Sequence, residues 1–173
     1  MGKIEHEALF TLGYGLYVIS SNLGDKLSGQ IANVVFQVTS QPIVLGICIN
    51  KKNLTHEFIE KSRSFSVSVL EQDTPMTFIG KFGFKSGRDI DKFIGTSFET
   101  GETGVLIVTD FSVSYMEVKV VSQLDAGTHT VYLGELVSSK LIKDATPMTY
   151  AYYHEVKKGK SPKSAPTYFE QKK

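Results

Sequence analysis

The stretch that decides the fold is "GQIANVVFQVTSQPIVLGICIN", residues 29–50. Between residues 30 and 40 it alternates: Ala32, Val34, Phe36 and Val38 make an apolar face, while Asn33, Gln37 and Thr39 point the other way. Period-two alternation marks a half-buried strand. After Pro42, "IVLGICIN" (43–50) is apolar on both faces, as expected of a strand inside a sheet.

Working outward, "HEALFTL" predicts a short helix leading into a β-rich run, "YGLYVIS" (14–20), and "GDKLSGQ" (24–30) reads as a turn. "NLTHEFIEKS" (53–62) carries Leu54, Phe58 and Ile59 at helical spacing, with Asn53 or Thr55 as N-cap. "FSVSVL" (65–70) is an alternating strand, and "PMTFIGKFG" (75–83) opens on a proline suited to a helix start. "SGRDIDKF" (86–93) predicts a loop with one helical turn. Further strands are expected at 104–110, 112–122 and 129–142, with Gly134 inside the last marking a bulge or a close backbone approach. Six or more strands, short turns and few helices predict a mainly β protein, a barrel with a few short peripheral helices. The helical patterns do not alternate regularly with the strands, which counts against a doubly wound sheet.

Composition narrows the function classes. The chain has 173 residues, 41% hydrophobic and 21% charged, the range of one ordinary globular domain. Its formal net charge of +1 provides no global field to draw in nucleic acid or a membrane surface, so neither is expected as a partner. "YAYYHEVKKGK" (151–160 with Tyr150 before it) mixes aromatic and basic residues, a weak nucleic-acid signal with no supporting motif. Cys48 is the one cysteine, the N-terminus lacks a signal-peptide core, and no apolar run approaches the ~18 residues of a membrane span. A soluble cytoplasmic protein is the expectation. Residues 157–173, with six lysines and two prolines, read as an extended arm beyond a domain over 1–156.

Three segments could carry chemistry. Asn33, Gln37 and Thr39 could hydrogen-bond the edge of a heterocycle, since an amide offers both donor and acceptor; equally, they could be a solvated outer face. In "NKKNLTHEFI", Lys51, the Thr55 hydroxyl and the free N–H groups of a helix start could converge on an anion. An ordinary capped helix with solvated lysines fits the same residues, and His56, in the first turn, suits a neutral imidazole. "FGFKSGRDIDKF" could cover a flat anionic ligand or form a salt-bridged surface turn. The histidines at 6, 56, 129 and 154 lack metal-ligand spacing, so no metal is expected. No GxSxG elbow, Walker loop or HExxH motif is present. His129, at the head of "HTVYLGEL", reads on its own as a residue that begins a strand.

The ordered set of these stretches resembles the flavin reductase-like, FMN-binding split-barrel family from about residue 7 to 155. "YGLYVISS" is similar to its opening strand, residues 29–59 to its glycine turn, polar-faced strand, proline, buried strand and helix start. "RSFSVSVL" and "AGTHTVYLGEL" are similar to two further family strands. Within the family, "GFKSGRDIDKF", "DAGTHT" and "PMTYAYYHEVKKGKSPKSAPTY" resemble flavin reductase modules fused to rubredoxin in anaerobes. The resemblance implies a Greek-key split barrel, a homodimer, one FMN per subunit, and NADH or NADPH as co-substrate. Electrons would pass to free flavin, ferric iron or a redox protein; a rubredoxin-like or flavodiiron-type acceptor would be a separate protein, since no further cysteines follow. It implies that Gln30, Ile31, Ala32 and Asn33, with Gln37 and Thr39 beyond them, line the flavin ring and ribityl chain. Asn50, Lys51, Asn53, Leu54, Thr55 and His56 match the phosphate end, and Lys85, Ser86, Gly87 and Arg88 a loop approaching the cofactor. His129 matches the histidine that orients the nicotinamide, with Thr128 standing where Asp is more usual. A non-catalytic FMN electron carrier is the alternative.

Overall fold

The computed structural model describes Gly2 and residues 4–169; the last four residues of the lysine-rich arm lie outside the described residues. In chain order the strands are β1 (Tyr17–Leu23), β2 (Lys26–Ala32), β3 (Val35–Ser40), β4 (Ile43–Asn50), β5 (Ser64–Leu70), β6 (Phe98–Thr100), β7 (Leu106–Val108), β8 (Ser112–Asp125) and β9 (His129–Leu141). A 3₁₀ helix covers His6–Thr11, and three short α-helices follow: α1 (Leu54–Ser62), α2 (Met76–Gly83) and α3 (Tyr150–Glu155). Among the described residues, no helix is long and apolar enough to cross a membrane.

Seven strands form one antiparallel sheet in the order β2-β1-β5-β8-β9-β4-β3. The two edge strands, β2 and β3, are consecutive in sequence and separated only by Asn33 and Val34. Three Cα steps reach at most roughly 11 Å, so the two edges must lie side by side and the sheet must roll into a barrel. The expected split barrel is therefore present, and its seam is at Asn33. The 30–40 segment is two strands, not one, because the chain must leave one edge and join the other.

This correction moves the polar face. Ala32 and Asn33 are buried, but Phe36 and Val38 are each 44% exposed on the edge strand β3. A bulge shifts the β3–β4 register between Gln37 and Thr39, breaking the alternation that placed them on the face of Asn33. Both instead brace the β3–β4 turn: Gln37 Nε2 donates to Thr39 O at 3.1 Å, and Thr39 Oγ1 donates to Pro42 O at 2.6 Å. The predicted turn at 24–30 shortens to Gly24 and Asp25, since β2 already starts at Lys26 and pairs with β1 through Leu23.

Two cores sandwich the β1–β5 part of the sheet. The barrel interior gathers Ile19, Ile47, Ile49, Phe65, Val67 and Tyr132, with Ile59 of α1 packed into it. The opposite face of β1, through Leu16 and Val18, packs against Phe78, Ile79 and Phe82 of α2. β5 shows why its serines are buried: Ser66 and Ser68 donate to the carbonyls of Leu106 (2.5 Å) and Val108 (2.7 Å), so β7 covers their face.

Gly134 confirms the close backbone approach expected in β9. A Cβ there would come within 2.3 Å of Val118 Cγ1 and 2.7 Å of the Lys119 carbonyl, where β8 bulges between Val120 and Ser122. Gly134→Ala must push backbone, not a flexible side chain, and is expected to lower stability by roughly 1–3 kcal/mol. Urea unfolding checks this; an unchanged midpoint would refute the role given to the glycine.

Candidate functional site

A cavity of about 540 Å³ opens beside the seam. One wall is the free edge of β2, from Ser28 to Asn33; opposite stand the end of β4 at Asn50 and the start of α1. The end of α2 and the loop after it contribute Phe82, Lys85 and Lys92. Tyr150 and Tyr153 of α3 and the segment 160–168 complete the lining. The aromatic and basic mixture around "YAYYHE" is thus a folded pocket wall. The charge distribution is one-sided: Lys85, Lys92, Lys160 and Lys163 line the cavity, and among the described residues no Asp or Glu does. A chain balanced at +1 overall concentrates positive charge at this one place.

Most of the expected residues meet here. Gln30, Ile31, Ala32 and Asn33 line the β2 wall, and Asn50, Asn53, Leu54 and Thr55 the helix-start wall. Lys85, Ser86 and Gly87 close one side, where a Cβ on Gly87 would stand 3.1 Å from Leu54 Cδ2. Asn53 occupies the N-cap position of α1 without a side-chain cap bond, while Thr55, 2% exposed, shares a 3.0 Å hydroxyl hydrogen bond with Ser28 of β2. That bond ties the helix start to the edge strand across the cavity floor. The side-chain oxygen of Gln30 is buried and has no partner, an acceptor left open on the β2 wall. Burial holds the Cys48 thiol above its usual pKa, so it stands in the lining as a neutral, protonated group.

Other expected residues lie outside the cavity lining. Lys51 turns away because alternation at the end of β4 sends Asn50 inward and Lys51 out, where it pairs with Asp125 at 2.6 Å. The Lys51 hydrogen bond holds the Asp125 carboxyl below the ordinary carboxylate range. Arg88 pairs with Glu57 and donates to the Lys52 carbonyl, tying the loop to α1 from outside. His56 shares a 2.8 Å hydrogen bond with Thr130 Oγ1, and burial lowers its pKa, which favours the neutral ring expected at a helix start. Gln37 and Thr39 remain on the β3 edge described above.

His129 stands at the rim, and its partners define its protonation pattern. Nε2 is 3.1 Å from the Ser164 carbonyl, which can only accept, so Nε2 carries the proton. Nδ1 is 2.8 Å from Thr128 Oγ1, a hydroxyl that can donate or accept. The ring is therefore held between Thr128 on its Nδ1 side and Ser164 on its Nε2 side.

Sequence reasoning missed the segment 160–168. Expected as an outlying arm, it crosses the mouth of the cavity instead. Asn33 Nδ2 donates to Thr167 Oγ1 (3.0 Å), Asn50 Nδ2 to Ser164 O (3.3 Å), and Thr167 Oγ1 to Tyr150 OH (3.1 Å). Tyr153 OH donates to Lys160 O at 2.9 Å. The sequence signal was present in its two prolines, which favour extended backbone, and in the aromatics of α3 that receive it.

Comparison with known proteins agrees with this architecture. The flavin reductase-like domain model matches residues 9–160. The ferric-chelate reductase (NAD(P)H) of Archaeoglobus fulgidus is 49% identical over 166 residues, covering 96% of this chain and 98% of that protein. The high molecular weight rubredoxin of Moorella thermoacetica is 46% identical over 165 residues, covering 95% of this chain and 72% of that protein. Among solved structures, the flavoredoxin of Methanosarcina acetivorans superposes with a TM-score of 0.73 at 22% identity, over 85% of this chain and 80% of that one. The chain belongs to the flavin reductase-like family.

Thr167→Val removes two of the bonds that fasten the segment. Hydrogen exchange is expected to speed up in residues 160–168 while the barrel strands keep their protection. Unchanged exchange in that segment would refute the part assigned to Thr167.

Proposed function

We propose that this member of the flavin reductase-like family holds FMN in the lysine-lined cavity, takes reducing equivalents from NADH or NADPH, and passes electrons to free flavin, ferric iron or a redox protein. The observation that carries the reading is the cavity's chemistry. Among the described residues it has four lysines and no acid, an α-helix start for a phosphate, and an unpaired amide oxygen for a ring N–H. Its volume of about 540 Å³ lies in the usual range for a cofactor-sized site. The residues present therefore fit the nucleotide.

Bound there, the flavin would supply the hydride and electron chemistry. The protein supplies position and field. Gln30 and the β2 edge would orient the ring, with Asn33 at the seam fixing its depth. Asn53, Thr55 and the first turn of α1 would hold the phosphate, with Lys85, Ser86 and Gly87 beside it. His129, with an N–H at Nε2, would offer a hydrogen bond to the nicotinamide at the rim. Asn50 would join it there. The subunits would pair as a homodimer, a reading supported by the exposed Phe36 and Val38 of the edge strand β3 and Val121 and Leu124 near the end of β8.

One observation supports a second reading, an electron carrier reduced by a partner protein. The Ser164 carbonyl occupies the His129 proton that a nicotinamide would use. Under this reading the mouth stays closed to nicotinamide and electrons cross the rim from a redox protein such as a rubredoxin-like one.

Purified protein supplied with FMN is expected to show the flavin absorbance band, and NADH or NADPH under anaerobic conditions to bleach it. A colourless protein that ignores FMN refutes both readings; bleaching by a reduced redox protein alone selects the carrier. Thr55→Ala leaves Ser28 without its partner and is expected to weaken FMN binding by roughly 1–3 kcal/mol. His129→Ala is expected to slow reduction by NAD(P)H while FMN stays bound. Equal reduction rates for the two proteins would remove His129 from the mechanism.

A further inference from the structure

We propose that Lys92 is the counter-charge of the bound nucleotide: its buried ammonium, which has no carboxylate partner among the described residues, neutralises negative charge on the phosphate or on the ring once reduced. The proposal rests on the FMN reading above and gives a specific role to a lysine that reading counts only among the lining. Lys92 is 5% exposed and lines the cavity. Its Nζ donates to Gly29 O at 3.0 Å and to Phe82 O at 3.2 Å, and lies 5.8 Å from the Phe82 ring centroid. Two carbonyls and a ring face solvate an ammonium in part, yet none of them carries a charge to match it. A buried cation kept without an anion is costly unless a bound ligand completes the pair.

The neighbouring charged groups do not supply that anion. Asp91 spends its carboxylate on the Phe93 N–H. Lys81, 5.9 Å from the centroid of the same ring, donates to Ile94 O and Thr96 Oγ1 and brings no carboxylate. The rest of the lining adds Lys85, Lys160 and Lys163 and the phenols Tyr150 and Tyr153. Lysines and phenols bring no carboxylate to the site.

The electrostatic consequence has a definite sign. Burial pushes the Lys92 ammonium down to about 8. An anion bound beside it favours the charged form, so the pKa rises on binding and the complex takes up protons near pH 8. Affinity is then constant below the free pKa and weakens as pH rises through and above it.

FMN titration of the apoprotein, by flavin fluorescence between about pH 7 and pH 9.5, tests this. The wild type is expected to bind more weakly toward the alkaline end, with proton uptake visible in calorimetry run in buffers of different ionisation enthalpy. Lys92→Met is expected to raise the dissociation constant at neutral pH by roughly tenfold or more, and to abolish both the pH dependence and the proton uptake. If these effects appear with FMN and vanish with riboflavin, the charge met is the phosphate. If oxidised FMN binds alike in both proteins but Lys92→Met lowers the midpoint potential at neutral pH, the charge met is on the reduced ring. A wild-type profile flat across the range, with a midpoint potential that Lys92→Met leaves unchanged, overturns the proposal. Should Lys92→Met not fold, a flat wild-type affinity and a wild-type potential without a break near pH 8 overturn it on their own. A wild type that binds no FMN at any pH overturns the flavin reading itself.

Discussion

Everything in this molecule depends on a two-residue step. Asn33 and Val34 carry the chain from one edge of a seven-stranded sheet to the other, and covalent geometry allows the step only if those edges lie together. Rolling the sheet buries one face as the barrel core without any need for a second sheet. It also leaves a seam, where the β2 edge is not covered by a neighbouring strand. An exposed strand edge invites unwanted pairing. Here α2, the loop after it and the segment 160–168 gather along that edge, and the cavity is the space they leave.

The site follows from which groups converge on the seam. The start of α1 reaches the edge strand through the Thr55–Ser28 hydrogen bond, and Lys92 reaches it through the Gly29 carbonyl. Asn33 and Asn50, at the ends of two different strands, point at the same space. None of these residues is unusual alone. Their effect comes from a fold that brings polar strand ends and lysines to one opening while it sends the acids elsewhere, as Asp125 to Lys51 and Glu57 to Arg88.

Much of this was legible in the sequence, for identifiable reasons. β5, β8 and β9 follow local alternation, and α1 follows helical spacing with its polar start. Gly134 announced a close approach because few other causes place glycine inside a strand. Legibility failed where a long-range partner decides the outcome. Alternation from Ala32 to Val38 cannot reveal that the chain changes edges at Asn33, or that a bulge then turns Gln37 and Thr39 outward. The serines of β5 look solvated until β7, some forty residues on, covers them. Lys51 and Lys92 are indistinguishable as letters; a nearby Asp125 takes the first to the surface, and two carbonyls hold the second inside. Lysine-rich composition likewise predicts an arm for residues 157–173, although Thr167 and Ser164 have partners more than a hundred residues away.

That last separation bears on the order of events. The bond from Asn33 to Thr167 spans 134 residues, so the mouth of the cavity is held by contacts with a very high loop-closure cost. During synthesis the barrel can form from residues already made, but the cavity lacks its cover until 160–168 have emerged. The same asymmetry runs backwards in the finished protein. A few hydrogen bonds hold the cover and a packed core holds the barrel, so the mouth is the last part to close and the first to open, with the barrel intact.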